Sequence, residues 1–342
     1  MNRRDPAPQL CRDERPSREL VSFLEDVEFG GQGLRYRRKH LLRALERLDD
    51  SVFLSLREDG VIRAGYALMD SPANLDGQPL AAVYRGLLAV DPTRRRRGLG
   101  RHLVETALAG IEARSADQPF LSFGLIETEN SASRRLLESL GAAEVGNLQS
   151  RLVYRQWPRR SSRFVELDTG LAGVYERQLS AQRGDRGLTL RASARYPAYG
   201  LVDGGELLAA ARVGVTTLDL GAGGPLARFL QRNAYGRFRA LGKRYNRRAF
   251  RYLTIHDPLV SDETDAWQTF LEGMLAQHDS HMALFTLDPR SDVAARLGAA
   301  GLFGRFAKTT QQDLVLVASG WNLVEGWAER IRSAPVTGGP VF

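Results

Sequence analysis

The chain has 342 residues, 48 Lys and Arg against 40 Asp and Glu, a formal charge of +8 and 43% apolar side chains. That is material for two buried cores, and the balance excludes a disordered or fibrous chain. A single cysteine, Cys11, excludes an intrachain disulfide, and no apolar run is long enough for a membrane-spanning helix. No signal-peptide core follows Met-Asn-Arg-Arg-Asp-Pro, so a cytoplasmic location is expected. Lysine occurs only at Lys39, Lys243 and Lys308. The basic balance is therefore nearly all arginine, a composition that a GC-rich bacterial genome can produce without any nucleic-acid role.

In chain order, a strand is predicted within Gln9 to Asp13, then a helix from Ser17 to Asp26 capped at Pro16-Ser17. Gly30, Gly31 and Gly33 interrupt before a second predicted helix, Tyr36 to Leu48. Two strands, Val52 to Arg57 and Ile62 to Met69, flank a turn at Glu58-Asp59-Gly60, and a loop from Asp70 to Pro79 leads to an apolar strand, Ala81 to Val90. Leu99, Leu103, Ala107 and Ile111 recur every four residues and predict one buried face of a helix from Leu99 to Arg114. Next come a strand at Phe120 to Ile126, a helix from Asn130 to Leu140, and two short strands, Ala143 to Gly146 and Ser150 to Trp157.

Past a linker at 158–163 the pattern restarts. Predicted strands at Phe164 to Leu167, Ala198 to Val202, Leu207 to Val213, Phe250 to His256 and Met282 to Leu287 alternate with helices at Leu171 to Ala181, Asp265 to Gln277 and Ser291 to Leu297. Leu297-Gly298-Ala299-Ala300 repeats Leu140-Gly141-Ala142-Ala143 after a comparable strand and helix. Strands at Phe303 to Ala307 and Asp313 to Ala318 and a helix from Asn322 to Ile331 complete the chain, with a Pro/Gly-rich tail from Pro335 expected to be disordered.

The most informative stretch is Val90-Asp91-Pro92-Thr93-Arg94-Arg95-Arg96-Arg97-Gly98-Leu99-Gly100, which joins an apolar strand to an amphipathic helix. A helix N-terminus presents unpaired N–H groups and partial positive charge, so it can grip a phosphate through backbone alone. Gly98 and Gly100 leave room for the anion, and Arg95, Arg96 and Arg97 can add charge-assisted bonds, with Arg94 the least committed of the run. Gly100 is followed by Arg101 and His102, so this is no Walker loop, and Leu103 stands where a dinucleotide fingerprint needs a third glycine.

Arg95-x-x-Gly98-x-Gly100 after Val90-x-Pro92 resembles the acyl-CoA loop of the GNAT superfamily of N-acyltransferases. The segment Asn130-Ser131-Ala132-Ser133 to Leu136-Leu137 and Gly141-Ala142 resembles that family's following helix, with Leu137 where many members carry a tyrosine that protonates the departing thiolate. The resemblance implies an α/β protein of two GNAT-like domains. Each is a mixed, mostly antiparallel twisted sheet flanked by helices, with splayed parallel strands at the cofactor cleft of the first. Residues 1–157 would be the catalytic domain, 158–163 the linker, 164–320 a divergent copy without a phosphate loop, and 321–342 a C-terminal helix and tail. In the second copy Asp262, Glu263 and Asp265 occupy the position of the anion loop and would repel a diphosphate.

The same resemblance implies acetyl-CoA or another short acyl-CoA as co-substrate, with no metal, held by Leu88, Ala89, Val90, Arg95, Arg96, Arg97, Gly98, Leu99, Gly100, Arg101, Asn130 and Ser133. Asn130 is equally well placed as a helix N-cap. A protonated amine of pKa about 10.4 must lose a proton at a cost of about 4.6 kcal/mol at neutral pH, so a base or relay is required. Glu127, Glu129 and Tyr84 are the candidates, and the Val90 amide is the implied oxyanion contact. His278-x-x-His281 lacks a third metal ligand.

Two functional classes follow: an N-acyltransferase acting on a primary amine of a small molecule or peptide, or a non-catalytic CoA-binding regulatory module. The segment from Arg228 to Tyr252 is rich in arginine and aromatic residues without one acid, which also fits RNA or an acidic protein partner. Solvated arginines on a helix with aromatics turned inward give the same pattern. Acceptor and oligomeric state are not encoded in any motif.

Overall fold

The computed structural model describes residues 7–30, 36–46, 50–115, 118–155, 158–184, 186–190, 196–220, 249–261, 263, 265–302 and 311–338. In the first half β1 (Gln9–Asp13) and α1 (Arg18–Asp26) precede β2 (Arg37–Lys39) and α2 (Leu41–Leu45). Then follow β3 (Ser51–Glu58), β4 (Val61–Asp70), β5 (Ala73–Leu75), β6 (Gln78–Val90), α3 (Leu99–Arg114), β7 (Phe120–Glu127), α4 (Ser131–Glu138) and β8 (Ala143–Tyr154). The second half comprises β9 (Phe164–Glu166), α5 (Thr169–Arg183), β10 (Leu188–Leu190), β11 (Ala198–Asp203), β12 (Glu206–Asp219), β13 (Phe250–Val260), α6 (Ala266–Gln277), β14 (Met282–Leu287), α7 (Asp292–Ala299), β15 (Gln311–Trp321) and α8 (Trp327–Ser333).

Local chemistry accounts for most boundaries. The Ser17 hydroxyl accepts the Leu20 amide at 3.2 Å to start α1, which buries Leu20, Val21 and Leu24. Gly65 lets this helix close on β4: a Cβ there would sit 2.7 Å from the Leu20 side chain. Helix α3 buries Leu99, Leu103, Val104, Ala107 and Ile111, the stripe predicted from spacing plus one neighbour. Each large member of it contributes about 1.5–3 kcal/mol.

The sheet runs β1-β3-β4-β6-β7-β15-β8-β14-β13-β12-β11-β9, with β2, β5 and β10 attached off this path. It is mixed and mostly antiparallel, with parallel pairs at β6/β7 and β13/β14. Strands β8 and β15 are exchanged between the halves. Strand β15, from the second half, pairs with β7 from Leu314 opposite Glu127 to Trp321 opposite Phe120. Strand β8, from the first half, pairs with β14 from Met282 opposite Tyr154 to Leu287 opposite Gln149. The two run antiparallel at the centre, Gln311 opposite Arg151 and Ala318 opposite Ala143.

The halves match in detail. In β6 two residues, Leu87 and Leu88, bulge between rungs Gly65/Ala89 and Ala67/Gly86, and Leu87 has φ +56°. In β13 Asp257 and Pro258 bulge between rungs Ala210/Leu259 and Arg212/His256, and Asp257 has φ +52°. The fold is thus the expected double copy, with one continuous sheet joining both.

Several elements differ from their predicted form. Residues 37–39 are a strand, because β2 pairs with β12 across the halves and His40, at φ +59°, separates it from a short α2. Ala143 to Tyr154 is one strand where two were predicted, since two different neighbours hold its two ends. Strands β5 and β10, unpredicted, pair with each other between the halves. The last helix starts later than predicted, at Trp327. The tail is tied down as far as Gly338: Val336 is 1% exposed, its amide donates to Asp288 at 2.9 Å, and Thr337 pairs with Leu188 and Leu190. The predicted strand at 303–307 lies outside the described residues.

His256, next to the second bulge, is buried against Tyr196 with ring centroids 4.8 Å apart, and its Nε2 lies 3.0 Å from Thr254 Oγ1. Burial pushes its pKa down to about 4. The imidazole is neutral in the fold, whereas the unfolded chain takes up a proton near pH 6.5. Its contribution is therefore complete above that pH and drains away as pH falls toward 4. Urea unfolding at pH 7 and pH 4.5 should show wild type losing about 2–3 kcal/mol more than His256→Gln over this interval.

Candidate functional site

The turn between β6 and α3 is anchored from below and open above. The Asp91 carboxylate accepts the Thr93 amide at 2.9 Å and its hydroxyl at 2.8 Å, and pairs with Arg63 at 2.8 Å. Burial alone would raise its pKa, but the Thr93 and Arg63 bonds outweigh it and hold the carboxyl below its ordinary value. Arg94 is not the uncommitted side chain expected from the sequence: its Nε lies 2.8 Å from Glu58, so it braces the turn against β3. Arg95, Arg96 and Arg97 are exposed, and Arg96 has φ +64°.

Gly98, at φ +82°, stands at the N-cap of α3, and no side chain caps that helix. The N–H groups of Leu99, Gly100 and Arg101 consequently remain available for an anion. Nothing lies within 4 Å of a Cβ built at Gly98, and one at Gly100 would meet only Val90 Cγ2, at 3.4 Å. The Arg101 side chain turns elsewhere, to Glu105 at 3.2 Å and Ser139 at 2.8 Å.

Beside this turn the sheet opens. Parallel pairing of β6 with β7 runs from Ala81/Phe120 to Tyr84/Phe123 and stops, while both strands continue, β6 to Val90 and β7 to Glu127. The Asp91 amide bonds to Arg63 at 2.8 Å, so alternation directs the Val90 N–H away from β4, toward the parted side. A cavity of about 170 Å³ fills the gap. Tyr84, Leu88, Glu127, Asn130, Ser133 and Leu137 are among the residues that line it, whereas Ala89, Val90, Glu129 and the turn from Arg95 to Arg101 are not. Asn130 is the N-cap of α4, its Oδ1 accepting the Ser133 amide at 3.2 Å. Leu137 is buried at the cavity wall.

The three base candidates separate. Glu127 is half-buried at the cavity. Glu129 is exposed beyond the strand end and does not line it. Tyr84 is buried, and desolvation pushes its pKa up to about 12, so the phenol keeps its proton at neutral pH. The sequence reading missed Tyr36, Arg38, Tyr66 and Arg85, which also line the cavity. Tyr36 and Arg38 were hidden inside a predicted helix, but Arg85, a lone charge within an apolar strand, was a visible signal. Arg38 also borders a groove of about 890 Å³ between the halves, with Lys39, His40, Arg43 and Arg251 on its walls.

The matching place in the second half is filled by the protein's own side chains. Tyr175 donates to Asp257 O at 2.6 Å, Gln182 donates to Pro258 O at 2.8 Å and accepts the Val260 amide at 2.7 Å, and Trp267 donates to Leu259 O at 2.9 Å. The Arg183 guanidinium pairs with the buried Asp257 carboxylate. No side-chain bond of this kind reaches the backbone of 87–90 among the described residues. Glu263 and Asp265 precede α6, while Asp262 and the basic stretch from 228 to 248 lie outside the described residues. His278 and His281 do not converge on a third ligand, and no group of three or more His, Cys, Asp or Glu is gathered to hold a metal among the described residues.

Residues 81–151 match the family profile described as FR47-like protein. The match spans β6 to β8 and so contains the turn, the parted strands and α4. No curated protein sequence matches the chain. Among solved structures it is similar to Saccharomyces cerevisiae N-myristoyltransferase with bound myristoyl-CoA, at TM-score 0.62 and 8% identity over 92% of this chain and 82% of that one. A second structure of that enzyme, with bound myristoyl-CoA and inhibitors, gives 0.58 and 9% over 92% and 80%. A GCN5-related N-acetyltransferase from Anabaena variabilis gives 0.48 and 13% over 90% and 72%. At such identities the likeness to the yeast enzyme is one of fold, and it extends through both halves.

A valine at Gly98 would be strained at its positive φ and would cover the amides of α3, whereas Arg94 is held by Glu58 below the turn. Titration calorimetry with CoA should show Gly98→Val weakened by about a hundredfold or more and Arg94→Ala by about threefold or less. Equal losses would show that the turn is not where the ligand is gripped. Thermal melts of both variants separate this from a loss of fold.

Proposed function

We propose that this chain, a GNAT-superfamily protein built from two copies of the fold, is an acyl-CoA-dependent N-acyltransferase with one CoA site, in the first copy. The observation that carries this reading is the parting of β6 from β7 beside the uncapped N-terminus of α3. A turn that leaves helix amides open, directly following β6, and a slot between β6 and β7 suit a diphosphate joined to an extended thiol arm. When bound, the coenzyme supplies a thioester carbonyl. The filled bulge of the second copy supports a single site per chain, and the small cavity supports a short acyl group, acetyl being the smallest.

The residues then divide the work. Backbone N–H groups of Leu99, Gly100 and Arg101 receive the diphosphate, with Arg95, Arg96 and Arg97 adding charge from the rim. Asn130 and Ser133 border the thiol arm. The Val90 N–H donates to the carbonyl oxygen as negative charge develops on it. Glu127, directly or through water, accepts the proton of the attacking primary amine. Tyr84 stays protonated and donates hydrogen bonds. The acceptor approaches along the groove that meets the slot at Arg38, whose basic walls favour an acceptor carrying negative charge.

Short acyl-CoA esters incubated with an amine panel and a thiol reagent should release CoA thiol only in the presence of an acceptor. Glu127→Gln should lower kcat by about 10²–10⁴-fold, whereas Glu129→Gln should leave it within about twofold. Tyr84→Phe should not move the pH–rate profile below about pH 10, because that phenol does not ionise there. CoA binding without thiol release across a wide panel would instead identify a binding module, the outcome to which Leu137, in place of a tyrosine acid, would then point.

A further inference from the structure

The closed end of the slot holds a charge that no described group answers. Arg85 is the first residue beyond the last parallel rung, Tyr84/Phe123, and lines the cavity. It is 4% exposed, and its Nε and Nη1 have no hydrogen-bond partner. Its Nη2 reaches the Ser122 carbonyl only at 3.5 Å. The buried Ser122 Oγ is likewise unpartnered, and Tyr66 lines the same cavity as Arg85. No carboxylate pairs with Arg85 among the described residues. Burial pushes its pKa down, yet a guanidinium stays protonated in proteins. A buried cation without a counterion is strongly unfavourable, so the arrangement calls for an anion in the working state.

Geometry says which anion. The diphosphate end of the ligand lies at the N-terminus of α3, at the open mouth by Val90. An arm entering between the strands runs back toward Tyr84, so its far end, the acyl group, meets the crotch. There Gly124 faces Arg85 closely: a Cβ on it would lie 3.2 Å from Arg85 O and 3.8 Å from Arg85 Cβ. The slot therefore ends at Arg85 and Tyr66, with the buried, unpartnered hydroxyl of Ser122 one rung before the last, polar groups where an aliphatic tail would require apolar ones.

We propose that the acyl donor is the CoA thioester of a short dicarboxylic acid, its free carboxylate pairing with Arg85 and hydrogen-bonding to Ser122. This rests on the acyl-CoA reading above and specifies its donor. The acceptor nitrogen forms the new bond to the thioester carbonyl carbon while the C–S bond breaks with its electron pair on sulfur. The amine proton leaves to Glu127 and passes on through solvent to the CoA thiolate, which restores the Glu127 carboxylate and gives free CoA thiol, and the distal carboxylate is unchanged. The product is an amide with a free terminal carboxylate.

Succinyl-CoA and butyryl-CoA share chain length and differ in that carboxylate. Calorimetry on the full chain with CoA, butyryl-CoA, succinyl-CoA and malonyl-CoA should show one of the dicarboxylic esters bound at least about tenfold more tightly than butyryl-CoA. Arg85→Met, which replaces a lone buried charge by an apolar chain of similar size, should erase that ratio, and Ser122→Ala should narrow it. If CoA and all esters bind alike, or butyryl-CoA is preferred, the donor assignment falls and the acyl-CoA site stands. If none binds, both fall. The wild-type comparison decides even where a variant does not fold.

Discussion

The structure turns on backbone hydrogen bonds that two neighbouring strands decline to make with each other. Past Tyr84 and Phe123, β6 bulges at Leu87 and β7 departs from it, each leaving a row of peptide groups facing a gap. Such groups are costly when buried without partners, so the gap must be solvated or must hold a ligand with its own amides. Strand β7 can leave because its other edge is fully paired with β15. The slot, the direction of the Val90 amide and the placing of Glu127 and Arg85 all follow from that parting.

The second copy shows what happens when the same geometry is not used for a ligand. Its bulge has the same left-handed residue and the same two extra positions, yet Tyr175, Gln182 and Trp267 supply the missing partners and Arg183 neutralises Asp257. Side chains have replaced what a ligand would offer, and the site has become core. One copy thus keeps its polar backbone available and the other spends it on stability.

How much was legible in the sequence depended on the range of the interactions. Helix α3 was read to its ends because its stripe, glycines and turn are local, and β14 likewise. Residues 37–39 were misread because their partner, β12, lies far along the chain and overrides local preference. The same holds for the tail, whose proline and glycine content suggested disorder while Val336 fills a socket beside Asp288. At the site, the anion turn and Asn130 were visible as motifs. Arg94 was misjudged because its partner Glu58 sits on another strand, and Tyr36, Tyr66 and Arg38 converge only through tertiary packing.

The exchange of β8 and β15 bears on how the protein comes into being. A nascent chain emerging from the ribosome has all of β6, α3 and β7 long before β15, at residues 311–321, is synthesised. Until then the edge of β7 has no native neighbour, and a sticky strand waits for one nearly two hundred residues away. The amino-terminal copy therefore completes its sheet only late in translation, so that assembly of the half with the parted strands is coupled to successful synthesis of the other.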